Sequence, residues 1–299
     1  MAERIGFIGL GIMGGSFARN LVKSGWRVVG YDISPARRKE LSQAGVKIAD
    51  GIPELAAAVP VIITSLPKPE ALAAVAHAIA DAKLPKKIIA ECSTFTIEDK
   101  EGAEAVLRKS GHTLLDCPVS GTGSQARTGD LVIYASGDTK AIARLKPMFA
   151  GYSRKTYDVG TFGNGSKMKY VANLLVAINN VATAEAMVLG MKAGLDPQVI
   201  FEMIQNGAGN SRVFELRAPM MVKNDYASDV TMKCSIWQKD MDVIGGYAKK
   251  LRVSTPLFSA TRPVYHAAIK AGHGEEDTAA VCAVLEAKAA VKRKAKRRR

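Results

Sequence analysis

Residues 4–32 read RIGFIGLGIMGGSFARNLVKSGWRVVGYD. A short apolar run, Arg4 to Ile8, breaks into Gly9-Leu10-Gly11-Ile12-Met13-Gly14. An amphipathic stretch runs from Ser16 to Ser24, Gly25 stops it, and a second apolar run from Arg27 to Tyr31 ends on Asp32. The spacing G-x-G-x-x-G is common in ordinary turns. It becomes a dinucleotide-binding signal when strand, turn, helix, strand and acid follow in this order. Gly9 permits the tight turn, Gly11 lets a pyrophosphate approach the backbone, and Gly14 lets the helix pack on the strand, while the free N–H groups of the helix start face the phosphates. Leu10, Ile12 and Met13 complete that turn. A carboxylate at Asp32 suits ribose hydroxyls and repels a 2′-phosphate, which favours NAD over NADP. Arg37 and Arg38 either reach such a phosphate or lie on a helix surface, and the surface reading is preferred.

The alternation continues outward. Val46 to Ala49 reads as a strand, Pro53 to Ala58 as a short helix, and Val61 to Leu66 as a buried strand ending at Pro67. A helix from Glu70 to Asp81, a strand from Lys87 to Glu91 running into Ser93-Thr94, a helix from Glu98 to Lys109 and a strand from Thr113 to Cys117 follow. Repeated units of this size imply a doubly wound parallel sheet, of Rossmann type, with helices on both faces and ligands at the carboxyl ends of the strands. That places Gly9 to Gly14, Asp32, Leu66-Pro67, Ser93-Thr94 and the residues after Cys117 along one rim. Pro118 to Ser124 reads PVSGTGS, either a cradle of hydroxyls and open N–H groups for a carboxylate or a plain turn. Leu131 to Ala135, Thr139 to Phe149 and Arg154 to Tyr157 add strand, helix and strand.

Residues 163–193 read GNGSKMKYVANLLVAINNVATAEAMVLGMKA, with apolar residues at three- and four-residue steps. This is a helix of roughly 40 Å, more than one domain needs, and so a bridge between two. Lys169 and Asn173 lie one turn apart on it. Read alone, the pair is either an ammonium and an amide placed on a ligand or a solvated helix face. Helical stretches follow at Pro197 to Gln205, Ser211 to Lys223, Thr231 to Leu251 and Pro256 to Ala271. The expected architecture is an α/β domain over 1–162, an interdomain helix over 163–193, an all-α domain over 194–290 and a basic tail over 291–299. Met220, Met221, Ile236 and Trp237 form an apolar face that is either core or an interface.

The chain has 299 residues, 47% of them hydrophobic, the composition of a globular protein with a full core. The first residues lack the pattern of a leader and no apolar run reaches the ~18 residues of a membrane span, so a cytoplasmic location without a membrane partner is expected. Cys92, Cys117, Cys234 and Cys282 form no CxxC, and His77, His112, His266 and His273 have no partner at ligand spacing; neither a disulfide nor a metal site is expected. The formal charge is +14, and the last nine residues, VKRKAKRRR, carry seven of the basic groups. Such a tail is solvated and holds nucleic acid non-specifically if at all.

Five segments fall in one order: GFIGLGIMG, STFT at Thr94, DCPVSGTGSQARTGDL from Asp116, GNGSKMKYVAN from Gly163, and Gln238-Lys239-Asp240-Met241. Together they resemble the β-hydroxyacid dehydrogenase family, related to 6-phosphogluconate dehydrogenase, over nearly the whole chain except the tail. That family includes 3-hydroxyisobutyrate dehydrogenases, tartronate semialdehyde reductases and threonate dehydrogenases. The resemblance implies that Lys169 is the catalytic acid/base with Asn173 beside it, and that Ser120, Gly121 and Thr122 bind the substrate carboxylate. A second glycine is usual in the family where Thr122 stands, which implies a bulkier pocket wall. Leu66, Pro67, Thr94 and Lys239 are implied cofactor contacts, with Asp240 supporting the site, and the helical domain is implied to form dimers or tetramers. The expected function is an NAD-dependent dehydrogenase of a small hydroxy acid. Two alternatives stand beside it: a non-catalytic dinucleotide-binding scaffold using its basic tail, and an imine reductase-like enzyme, which would lack the lysine and prefer NADPH.

Overall fold

The computed structural model describes residues 4–293. The chain divides into two compact units, with the boundary between Tyr170 and Val171. Unit 1 opens with β1 (Arg4–Ile8), α1 (Ile12–Lys23), β2 (Arg27–Tyr31), α2 (Pro35–Gln43), β3 (Lys47–Ile48) and α3 (Ile52–Ala58). It continues with β4 (Val61–Thr64), α4 (Pro69–Asp81), β5 (Ile88–Glu91), α5 (Ile97–Lys109) and β6 (Thr113–Asp116). These strands form one parallel sheet in the order β3-β2-β1-β4-β5-β6. Side chains alternate between two cores, as a sheet covered on both faces requires. Ile5, Phe7, Val61, Ile63 and Leu115 pack on one side with Phe17 and Leu21 of α1. Ile8, Ile62, Ile89 and Leu114 pack on the other with Leu55, Leu72, Ile79 and Leu107 of α3, α4 and α5.

Then come β7 (Val119–Ser120), α6 (Gly123–Thr128), β8 (Val132–Ala135), α7 (Thr139–Phe149) and β9 (Lys155–Asp158). These strands do not extend the first sheet. They make a second one, β7-β8-β9, in which β7 runs antiparallel to β8. The two sheets of unit 1 touch through the antiparallel bridge Asp116–Ser136, whose backbones exchange N–H···O bonds of 3.0 and 2.8 Å.

α8 (Asn164–Lys192) carries the boundary within it. By length and composition α8 could cross a membrane, its most apolar window averaging 1.5 in mean hydropathy, contrary to the reading of uninterrupted apolar runs. Its buried Asn180, however, donates to Tyr265 Oη at 3.0 Å and to the Thr278 carbonyl at 2.9 Å, the satisfied contacts of a core helix. Unit 2 adds α9 (Pro197–Gln205), α10 (Arg212–Lys223), α11 (Cys234–Lys250), α12 (Pro256–Ala268) and α13 (Val281–Lys288), with no strand among its described residues.

Several differences from the sequence reading have physical causes. α1 begins at Ile12 because Gly11 serves as its N-cap. α2 is strongly polar and escapes a search for apolar periodicity; Ser34 caps it by accepting from Arg37 N. The Ser/Thr/Gly loop contains α6, opened at Thr122 and closed by Gly129 in the left-handed region at φ +73°. α12 ends in a π-turn around Gly272, and α13 is short and uncapped by a side chain. Met221 and Trp237 are core residues, so the apolar face read from sequence is largely internal, with Ile236 exposed. Arg293, counted in the basic tail, is docked instead: it pairs with Glu286 and donates to the carbonyls of Met221 and Val222 at the end of α10. Residues 294–299 of the tail lie outside the described residues.

Candidate functional site

Parallel register brings the carboxyl ends of five strands level. Ile8 stands opposite Tyr31 and Thr64, Thr64 opposite Glu91, and Glu91 opposite Asp116. The residues just beyond them therefore share one edge: the glycine turn, Asp32, Ser65-Leu66, Ser93-Thr94 and Cys117-Pro118. The glycines of that turn do separate jobs. Gly9 takes φ +91°, and a Cβ there would lie 2.2 Å from the Ser65 carbonyl oxygen. At Gly14 a Cβ would lie 2.0 Å from the Gly9 carbonyl oxygen, so α1 can rest on the turn only without a side chain. Gly11 faces open space, with nothing within 4 Å of a Cβ. Asp32 has a structural task as well: its carboxylate accepts from Leu10 N at 2.7 Å and Ser34 N at 2.8 Å, tying the glycine turn to the end of β2. Arg37 pairs with Glu40 at 2.8 Å and Arg38 lies 6.0 Å from the Tyr31 ring centroid, the surface roles preferred for both.

Deeper in the same edge sits an ionic cluster that the sequence reading did not single out. Lys100 of α5 is fully buried, with Nζ 2.7 Å from Glu91 and 2.7 Å from Asp116, both equally buried. Burial alone would push this ammonium's pKa down; the two carboxylates outweigh it and hold Lys100 above the ordinary lysine range. Asp116 also accepts from Ser166 N at 2.7 Å and Ser166 Oγ at 2.9 Å, in the first turn of α8. One turn later on that helix is Lys169, 8% exposed. The solvated-face reading of this lysine fails. Burial raises the pKa of the nearby Cys92 and Cys117 thiols, which leaves them protonated and inert.

Ser120 ends β7, Gly121 takes φ +138° with Leu131 Cδ2 only 2.4 Å from where a Cβ would stand, and Thr122 opens α6. All three are partly accessible. Thr122 Oγ1 lies 2.8 Å from Ser124 Oγ, and Thr122 N donates to Gln125 Oε1 at 3.1 Å, so the segment is an ordered, hydroxyl-rich helix start. Leu66 N donates to Ser93 Oγ at 2.8 Å, while Pro67 is exposed and Thr94 half-buried. In unit 2, Asn173 and Asp240 are both buried and joined at 3.0 Å, and Asp240 pairs with Lys239 at 2.9 Å. Among the described residues no group of three or more His, Cys, Asp or Glu side chains could hold a metal ion.

The residues present fit a dinucleotide. Gly11 leaves its side of the turn open, it caps α1 with no side chain, and the Asp32 oxygens keep acceptor capacity beyond their two backbone bonds. Comparison with known proteins agrees. Residues 4–160 match the NAD-binding domain of 6-phosphogluconate dehydrogenase, and residues 163–285 match the NAD-binding family of NADP-dependent 3-hydroxyisobutyrate dehydrogenase. The chain is 32% identical over 289 residues to an L-threonate dehydrogenase of Cupriavidus necator, covering 95% of this chain and 97% of that one. A solved 3-hydroxyisobutyrate dehydrogenase from Salmonella typhimurium superposes with a TM-score of 0.85 at 30% identity, over 94% of this chain and 99% of the other. An imine reductase of Streptomyces aurantiacus reaches only 0.62 at 20% identity over 95% and 99%, a likeness of fold alone. The chain thus belongs to the β-hydroxyacid dehydrogenase family and is an NAD(P)-dependent oxidoreductase acting on CH–OH groups.

Proposed function

We propose that the protein interconverts a short hydroxy acid and its carbonyl form with NAD, using Lys169 as the acid/base. The observation that carries this reading is the burial of Lys169 on a helix start tied to the same strand edge as the open glycine turn. Gly9 to Gly14 and Asp32 would hold the dinucleotide, with Leu66, Pro67 and Thr94 beside it. The nicotinamide, when bound, supplies the hydride acceptor for oxidation and the donor for reduction. Ser120, Gly121 and Thr122 bind the substrate carboxylate through the two hydroxyls and the open backbone at Gly121. Lys169 Nζ takes the substrate hydroxyl proton during oxidation and returns it to the carbonyl oxygen during reduction. Asn173, one helical turn after Lys169 and bonded to Asp240 at 3.0 Å, and Lys239 keep the roles that the family resemblance implies for them, beside the acid/base and as a cofactor contact. Thr122 narrows the carboxylate pocket and adds a hydroxyl, which favours substrates bearing further hydroxyl groups, as the L-threonate dehydrogenase likeness also suggests. A cytosolic homo-oligomer fits this reading; exposed Leu189, Val199 and Met203 in unit 2 supply apolar surface for a second copy.

The test is a panel of threonate, 3-hydroxyisobutyrate, glycerate and other short hydroxy acids, each with NAD and NADP, followed by absorbance of the reduced cofactor. At least one acid is oxidised, with NAD preferred. Cofactor binding without turnover of any hydroxy acid, or reduction of cyclic imines in their place, would overturn the reading.

A further inference from the structure

We infer that the buried Glu91–Lys100–Asp116 cluster, through Ser166, is the device that positions Lys169; this rests on the acid/base reading of that lysine. The cluster holds two carboxylates and one ammonium with no exposure. In a dry interior that arrangement carries one uncompensated negative charge, which demands further donors. The first turn of α8 supplies them. Ser166 gives both its N–H and its hydroxyl to Asp116, at 2.7 and 2.9 Å, so the positive end of the helix rests on the carboxylate. Ser136 Oγ accepts from Gly165 N at 3.0 Å and lies 3.2 Å from Asp116 Oδ2, adding a second tether. Gly165 lets the backbones meet: a Cβ there would lie 2.4 Å from the Tyr134 carbonyl oxygen and 2.7 Å from that of Asp116. Just past Lys169, Tyr170 Oη donates to the Phe95 carbonyl at 2.5 Å. Lys169 therefore sits between two anchors, at Ser166 and at Tyr170, that fix both the rotation and the height of its helical turn.

The same cluster reaches the cofactor side of the rim. Glu91 Oε1 accepts from Ser93 N at 2.8 Å, and Ser93 Oγ accepts from Leu66 N at 2.8 Å. One hydrogen-bonded path thus runs from Leu66 to Ser166 across the ends of β4, β5 and β6. A buried ion cluster adds little net stability, so its use here is geometric. Glu91, Lys100, Asp116, Ser166 and Tyr170 are positioning residues; none needs to touch substrate.

The experiment compares Ser166→Ala and the isosteric Tyr170→Phe, each in the wild-type chain and in Lys169→Met. Assays run at a temperature where circular dichroism shows every variant folded. In the wild-type background each variant lowers kcat by about ten- to a hundred-fold, the cost of a misplaced reacting group, while the Kd for reduced cofactor stays within about two-fold. In the Lys169→Met background neither substitution lowers the residual rate further, because the group being positioned is gone. Equal losses in both backgrounds, or kcat within about two-fold of wild type despite a lower melting point, would reduce the cluster to a purely structural role and overturn the proposal. Lys169→Met turning over like wild type would refute the acid/base reading itself, a distinct result.

Discussion

Replacing Lys100 by methionine removes a cation that stands between two buried carboxylates. Nζ lies 2.7 Å from Glu91 Oε2 and 2.7 Å from Asp116 Oδ1, and all three side chains are fully buried. Deleting one partner of such a cluster costs about 3–5 kcal/mol, since the remaining charges stay desolvated. For a unit of this size each kcal/mol lowers the melting midpoint by about 2–4 °C, so Lys100→Met should melt roughly 10 °C early. Trp26 lies in unit 1 and Trp237 in unit 2, so Trp26 fluorescence in a Trp237→Phe background follows the affected unit alone. Adding Glu91→Gln should restore more than half of the loss, because Asp116 keeps its Ser166 and Ser136 donors and glutamine keeps the acceptor for Ser93 N. The effect should be constant across neutral pH. The folded pKa of Lys100 is raised, so its contribution is complete below the unfolded lysine value and is lost only as pH climbs through the folded one. A Lys100→Met chain melting within a few degrees of wild type, or a double variant less stable than the single one, would refute the reasoning.

Other outcomes follow from the same geometry. Gly11→Ala should leave the melting midpoint unchanged while weakening cofactor binding by about ten-fold or more, since its Cβ meets nothing in the protein. Gly14→Ala should also destabilise the fold, by about 1–3 kcal/mol, because its Cβ would lie 2.0 Å from a carbonyl oxygen; titration calorimetry and thermal melts separate the two. Asp32→Ala should cost about 1–3 kcal/mol by leaving Leu10 N and Ser34 N without their acceptor, and it should narrow the kcat/KM difference between NAD and NADP. His112 is buried beside Lys87 and accepts from its backbone N–H at 3.1 Å. Burial first, and the Lys87 charge second, hold its pKa below the ordinary 6.5. The unfolded chain therefore takes up this proton first as pH falls, stability drops through that range, and His112→Gln should flatten the acid-side decline in melting midpoint.

The rim of the first sheet was legible because its evidence is local. The glycine turn, the apolar runs and the acid at Asp32 each act within a few residues, and parallel register then aligns their ends. Strands β8 and β9 were legible, but not their separation into a second sheet, because β7 is only two residues long and runs antiparallel to β8, so no periodicity announces it. Asp32 gave its charge away but not its bond to Leu10, which depends on how the glycine turn closes. Lys100 was hidden most thoroughly. It lies in IEDKEGAEAVLRK, a strongly charged helix whose pattern reads as a solvated face, and only the approach of Glu91 and Asp116 from neighbouring strands buries it. Lys169 shows the converse: spacing left it undecided between ligand contact and solvent, and packing decided for burial.

The most direct measurement is kcat of Lys169→Ala, with its best hydroxy acid and saturating NAD, in the presence and absence of a small primary amine. A fall of about 10²–10⁴-fold, partly restored by the added amine and with cofactor affinity intact, is the predicted result. Turnover close to that of the unmodified chain would contradict the assignment of proton transfer to this side chain.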